Sequence, residues 1–267
     1  MEQPKNNFKI VSDKKARMLL PNALTLINVC IGLSSIKFAL DEKFELSIIA
    51  IIFAAIFDAL DGRVARMLKG TSLVGKELDS LADLISFGVA PAFIMYFWSL
   101  NNLGKFGWLV TMIFVVCVAL RLARFNVSSN SEPSWKDNYF EGVPSPAGGI
   151  LVLMPLILYL SEIDLININY NIAVPTFFIL ISFLLISKVP TFAFKKISIP
   201  RRMTIFALFG VVLFFGLLLI YTFKVLVICG LIYIFLIPFG FFHYQKIYKQ
   251  KILSGENHDV DDLEDIL

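Results

Sequence analysis

Long apolar runs separated by short polar or basic segments dominate this chain and leave few folds open to it. They cover about residues 21–40, 46–67, 79–100, 106–127, 146–160, 172–187, 203–223 and 225–245. A bilayer core of about 30 Å is crossed by a helix of roughly 20 such residues. The expected fold is therefore all-α: a polytopic integral membrane protein of about eight transmembrane helices. The runs at 146–160 and 172–187 are short, so they are either re-entrant or extended by flanking polar residues. Composition agrees: 57% of residues are hydrophobic and only 17% are charged, against about 25% charged in soluble domains.

Basic residues set the expected orientation. With the N-terminus in the cytoplasm and eight alternating spans, all but four of the 24 Lys and Arg (Lys37, Lys43, Lys105 and Lys224) fall on the inner side. Both termini are then cytoplasmic. Residues 1–20 mix polar and basic side chains with no apolar core before Met18, so they do not read as a signal peptide. They are expected to form a cytoplasmic interfacial arm or an ordinary basic flank. Residues 21–187 form the expected catalytic membrane domain. Residues 188–245 supply a basic, cytoplasmic linker and two further spans without ionisable groups in their middle. Residues 246–267 read as a tail that turns acidic and disordered. Cys30, Cys117 and Cys229 stand singly in apolar runs and read as packing residues, and His243 and His258 have no evident functional partners.

One region breaks the apolar rule. It runs Asp58-Ala-Leu-Asp61-Gly62-Arg63-Val-Ala65-Arg66, then eight residues, then Gly75-Lys-Glu-Leu-Asp79-Ser-Leu-Ala-Asp83. One Asp near the centre of a membrane helix costs about 2.5–3.5 kcal/mol, so four together need cations or a water-filled cavity. Asp58, Asp61 and Ala65 share a face of one helix, and Gly75, Asp79 and Asp83 share a face of the next. The short segment between them makes these helices antiparallel neighbours, so the two Asp pairs face each other. Converging carboxylates select hard cations, Mg²⁺, Mn²⁺ or Ca²⁺, and four of them suit two ions acting on a phosphoryl displacement. Gly62, Ala65 and Gly75 let a diphosphate approach the backbone, and Arg66 adds fixed positive charge. Intramembrane carboxylates also mark ion-coupled transporters, but no paired inverted repeats or Gly/Pro-broken spans accompany these. A purely structural scaffold is the third reading.

The pattern D-x2-D-G-x2-A-R-x8-G-x3-D-x3-D, filled by Asp58, Asp61, Gly62, Ala65, Arg66, Gly75, Asp79 and Asp83, resembles the signature of the CDP-alcohol phosphotransferase family. That resemblance implies a six-helix dimeric core with a dimetal site open to the cytoplasm. It implies metal ligation by Asp58, Asp61, Asp79 and Asp83, with Asp83 also the general base. Gly62, Ala65, Arg66, Ser72 and Gly75 would meet the CDP part of a CDP-lipid donor. Pro21-Asn22-Ala23-Leu24-Thr25 resembles the family's additional nucleotide-contacting segment, which brings in Asn22 and Thr25. The stretches Leu120-Arg121-Leu122-Ala123-Arg124-Phe125-Asn126 and Phe140-Glu141-Gly142-Val143-Pro144-Ser145-Pro146-Ala147 resemble the bacterial, membrane-embedded branch that uses serine as acceptor. The implied partners are CDP-diacylglycerol, serine, bilayer lipids and a second copy of the chain; no nucleic acid is expected. Arg121 and Arg124, one turn apart, suit the serine carboxylate. Glycerol 3-phosphate or inositol phosphate would equally want arginines. Asp137 and Glu141 are candidates for the serine ammonium.

Overall fold

A computed structural model describes residues 13–68, 72–128, 139–163, 169–187, 189–192 and 204–253. The described chain is almost entirely helical: α1 (Asp13–Leu40), α2 (Phe44–Leu68), α3 (Leu73–Asp83), α4 (Ala90–Trp98), α5 (Lys105–Ser128), α6 (Ser145–Val152), α7 (Met154–Leu160), α8 (Tyr170–Ile186), α9 (Thr204–Ile220) and α10 (Thr222–Leu253). It divides into two compact units, residues 1–131 with 144–186, and residues 132–143 with 187–267.

Among the described residues, four stretches are long and apolar enough to cross a membrane: Leu19–Leu40, Leu73–Trp98, Lys105–Val127 and Thr222–Gln245. The expectation of eight is thus met at four, and the reasons are local. α2 is long enough at 25 residues, but its C-terminal half holds Asp58, Asp61, Arg63 and Arg66. The run at 146–160 breaks at Leu153 into helices of 8 and 7 residues, with Pro155 opening the second. α8 and α9 have 17 residues each. Residues 13–20, expected in an arm, form the first turns of α1 without a break. Residues 1–12, most of the 188–202 linker and residues 254–267 lie outside the described residues.

In the first unit α1 and α2 form an antiparallel hairpin closed by Asp41–Lys43. Glu42 takes a left-handed φ of 59°, which lets its N–H and that of Lys43 reach the carbonyls of Ala39 and Phe38. Lys37 pairs with Asp41 at this exposed turn, and that hydrogen bond holds the Asp41 carboxyl below its ordinary range. Along the buried seam, Ser35 donates its hydroxyl to the Gly32 carbonyl of its own helix and Ser47 to the Lys43 carbonyl in the turn before α2, as buried groups in a dry environment must.

A six-residue π-helix, Leu84–Val89, joins α3 to α4 and begins directly after Asp83. Such bulges widen the turn and re-aim the flanking helix, and they gather at functional sites. Phe87 and Gly88 are buried within it. Two glycines allow its neighbours to close in. A Cβ on Gly32 of α1 would stand 2.5 Å from Ser86 Oγ, and one on Gly149 of α6 would stand 2.7 Å from the Phe87 carbonyl oxygen.

The second unit contains α9, α10 and a short antiparallel ladder of β1 (Tyr139–Glu141) and β2 (Pro190–Phe192), with Tyr139 opposite Phe192 and Glu141 opposite Pro190. The Gly142 N–H extends the ladder to the Val189 carbonyl at 2.9 Å. These strands were not foreseen: three residues each give no usable periodicity.

The packing around the π-helix makes a test. Gly149→Ala should destabilise the purified chain by about 1–3 kcal/mol, because backbone rather than a flexible side chain blocks the added methyl. Gly210→Ala, where a Cβ meets nothing within 4 Å, should be neutral or stabilising by up to about 1 kcal/mol. Thermal melts of the two variants in detergent check this; equal shifts would contradict the packing described.

Candidate functional site

α2 and α3 bring the four aspartates together in the first unit. Carboxylate oxygens of Asp58, Asp61 and Asp79 lie within 4.8 Å of one another. Asp83, one turn beyond Asp79, neighbours the Asp58 carboxyl. Asp83 Oδ2 accepts a hydrogen bond from Ser145 Oγ at 3.0 Å, and Ser145 Oγ accepts one from Arg121 at 3.3 Å. Asp83 Oδ1 is buried and accepts from no N–H or hydroxyl among the described residues. None of the four aspartates is in a salt bridge among the described residues. Carboxylates so close repel, and side chains present satisfy them only in part. The donor set is all oxygen, so the cluster fits a hard divalent cation such as Mg²⁺ or Mn²⁺.

Thr25 supports the cluster from α1. Its hydroxyl lies 2.7 Å from Asp61 Oδ2 and 3.1 Å from the Pro21 carbonyl. A hydroxyl has one proton to give, and the shorter bond to a charged acceptor takes it. Asp61 is thereby oriented from outside the cluster.

Beside it lies a cleft of about 190 Å³ lined by Pro21, Asn22, Thr25, Asp61, Gly62, Ala65, Arg66, Ser72, Gly75, Lys76 and Asp79. The structure thus gathers Asn22, Thr25, Gly62, Ala65, Arg66, Ser72 and Gly75 around Asp61 and Asp79. Ser72 caps α3: its backbone is extended, with φ −133° and ψ 155°, and its hydroxyl accepts the Gly75 N–H at 3.0 Å. Gly75 is constrained, since a Cβ there would stand 3.0 Å from Asn22 Oδ1. The positive dipole end of α3 lies at the cleft, where Arg66 and Lys76 also stand, a setting that favours a phosphate. A larger groove of about 450 Å³ along α8, lined by Asn169, Ile172, Ala173, Thr176, Phe177 and Leu180, contains no carboxylate, histidine or cysteine.

The two arginines on α5 part company. Arg121 is buried and reaches Asp83 through Ser145. Arg124 is exposed and donates to the Ile186 carbonyl at 2.8 Å, at the C-terminal end of α8. Asp137 and the side chain of Glu141 lie outside the described residues.

Four residues at or beside the site were not singled out from the sequence. Lys76 lines the cleft and donates to the Asn126 carbonyl at 3.4 Å. Asn126 in turn clasps Ser80 of α3 at 2.9 Å. Ser145 bonds Asp83, and Asn28 is buried on α1 one turn beyond Thr25. Lys76 could have been found from its place beside Gly75. Ser145 and Asn126 fell within quoted stretches, but their partners are distant in sequence. Thr25→Val should weaken Mn²⁺ binding about tenfold or more, since loss of an outer partner of a ligand typically costs 10–100-fold. A titration following the Mn²⁺ paramagnetic signal checks this; unchanged affinity would contradict the support assigned to Thr25.

Residues 18–194 match the family model described as CDP-alcohol phosphatidyltransferase. The chain is 34% identical over 251 residues to the CDP-diacylglycerol–serine O-phosphatidyltransferase of Mycobacterium leprae, covering 91% of this chain and 79% of that one. It is 36% identical over 190 residues to the protein of the same name from Helicobacter pylori strain 26695, covering 71% and 78%. With the Mycobacterium tuberculosis H37Rv protein of that name it shares 43% identity over 137 residues, which span 51% of this chain and 48% of that one. With the fully matched Asp pattern on α2 and α3, these likenesses establish that the chain belongs to the CDP-alcohol phosphatidyltransferase family.

Proposed function

We propose that the chain transfers the phosphatidyl group of CDP-diacylglycerol to the hydroxyl of L-serine, yielding phosphatidylserine and CMP. The observation that carries the reading is Asp83 Oδ1, a buried carboxyl oxygen that no N–H or hydroxyl among the described residues reaches, beside three converging carboxylates. The names of the relatives support serine as acceptor.

In this reading the cleft receives the donor. Its diphosphate lies toward Asp61 and Asp79, the cytidine side meets Asn22, Gly62, Ala65, Arg66, Ser72 and Gly75, and the acyl chains stay in the bilayer. Two divalent cations, Mg²⁺ or Mn²⁺ with Ca²⁺ the third candidate, are held by Asp58, Asp61, Asp79 and Asp83. When bound they neutralise charge on the diphosphate and on departing CMP. Asp83 is the general base: Ser145 occupies Oδ2 and leaves Oδ1 to take the proton of the serine hydroxyl. The serine oxygen forms a bond to the β-phosphorus, the bond from that phosphorus to the oxygen bridging it to the CMP phosphate breaks, and CMP leaves with that oxygen. Arg121, buried behind Ser145, suits the serine carboxylate better than Arg124, whose guanidinium caps α8.

The basic-residue bias supports cytoplasmic termini and an active site at the cytoplasmic face, and the bacterial relatives support a bacterial cell membrane. The family resemblance supports a homodimer built on a six-helix core.

Purified full-length chain should release CMP from CDP-diacylglycerol only when serine and Mg²⁺ or Mn²⁺ are both present, with phosphatidylserine identified by mass. Turnover with glycerol 3-phosphate or inositol phosphate but not serine would move the chain to another branch of the family. Serine uptake into proteoliposomes without CMP release would favour a transporter. Asp83→Asn should lower turnover by about a hundredfold or more, a larger loss than any it causes in Mn²⁺ or CDP-lipid affinity. A variant that turns over at the parent rate would refute the base assignment.

A further inference from the structure

Asn28 is fully buried on α1, and neither its amide nitrogen nor its amide oxygen has a hydrogen-bond partner. Other buried polar side chains on these helices do not share that state. Ser35, Ser47, Thr111 and Ser182 all bond carbonyls of the preceding turn or residue of the loop before it. Buried polar groups are otherwise paired almost without exception, so an unpaired amide needs a partner in the working state of the molecule.

Its position names that partner. α1 and α2 run antiparallel, and Thr25 meets Asp61 across them at 2.7 Å. Three residues further along α1 and three residues back along α2 stand Asn28 and Asp58. From the other side, Ser86 Oγ donates to the Asn28 backbone carbonyl at 3.2 Å, and Ser86 lies three residues beyond Asp83 on the rod that continues α3. Asn28 thus sits at the level where Asp58 and Asp83 adjoin, and no N–H or hydroxyl among the described residues reaches Asp83 Oδ1. A buried amide N–H without an acceptor and a buried carboxyl oxygen without an N–H donor are complementary.

We propose that Asn28 is a positioning residue for the Asp58–Asp83 carboxyl pair. Its Nδ2–H would donate to a carboxyl oxygen of that pair in the working state, and so aim Asp83 at the acceptor hydroxyl. The inference rests on the transferase reading of the site. Asn28 does not line the cleft.

Asn28→Leu keeps similar bulk and removes both polar atoms; Asn28→Ser keeps a shorter donor. In full-length purified chain, Asn28→Leu should lower kcat about tenfold or more, with the KM values for serine and CDP-diacylglycerol and the Mn²⁺ dissociation constant within about twofold of the parent. Asn28→Ser should recover at least about threefold of the lost kcat. Should Asn28→Leu fail to fold, Asn28→Ser alone decides, by a fall in kcat with both KM values unchanged. A rise in the Mn²⁺ dissociation constant parallel to the loss of kcat would make Asn28 a cation ligand and overturn the proposal. A rise confined to the serine KM would make it a substrate contact, and unchanged kinetics would make it a spectator; either overturns it. Failure of the transferase reading appears instead in the unmodified chain, which would release no CMP with any acceptor, and overturns both.

Discussion

Mutual repulsion among the carboxylates of Asp58, Asp61, Asp79 and Asp83 is the constraint around which the first unit is organised. Three of them place oxygens within 4.8 Å of one another, in a chain whose neighbouring helices are apolar enough to cross a membrane. Charge of one sign at that density is tolerable where cations or polar partners offset it. The supporting parts follow from that need. Thr25 orients Asp61, Ser145 and Arg121 stand behind Asp83, and the N-cap of α3 by Ser72 fixes where Asp79 and Asp83 emerge.

The π-helix after Asp83 links the site to the fold. A regular α-helix over Leu73–Trp98 would carry the face of Asp79 and Asp83 straight into the apolar half of the rod. The wider turns of Leu84–Val89 instead let the carboxylate face and the apolar face be set separately. That irregular segment is held by close packing at Gly32 and Gly149, where any side chain would meet Ser86 or the backbone of Phe87. The glycines thus act at a distance from the chemistry, by keeping the helix that carries two of the aspartates at one height and rotation.

Most of the site was legible in the sequence because its parts recur at helical spacing within two adjacent helices. Asp58 with Asp61, and Gly75 with Asp79 and Asp83, are separated by three or four residues, and one face follows from that alone. The cleft assembled Asn22 and Thr25 with them because α1 is the hairpin partner of α2. What stayed hidden depends on distant partners. Nothing local to Ser145 announces Asp83, 62 residues away, and nothing local to Arg124 announces the Ile186 carbonyl. The π-helix leaves no trace in an apolar run. The span count was overread for a physical reason: hydropathy sees the apolar residues of 146–160 but not the break at Leu153 that divides them. The two three-residue strands were too short to carry a pattern.

The relation of the carboxylates to cations is the claim on which everything else in this account turns. Crystals of the full-length protein soaked with Mn²⁺ and a CDP-lipid, measured at the manganese absorption edge, test it most directly. Anomalous peaks bounded by Asp58, Asp61, Asp79 and Asp83, with the diphosphate against them and the cytidine in the cleft beside Ser72 and Gly75, are the predicted result. Strong nucleotide density in that cleft with no anomalous signal among the four aspartates would contradict it.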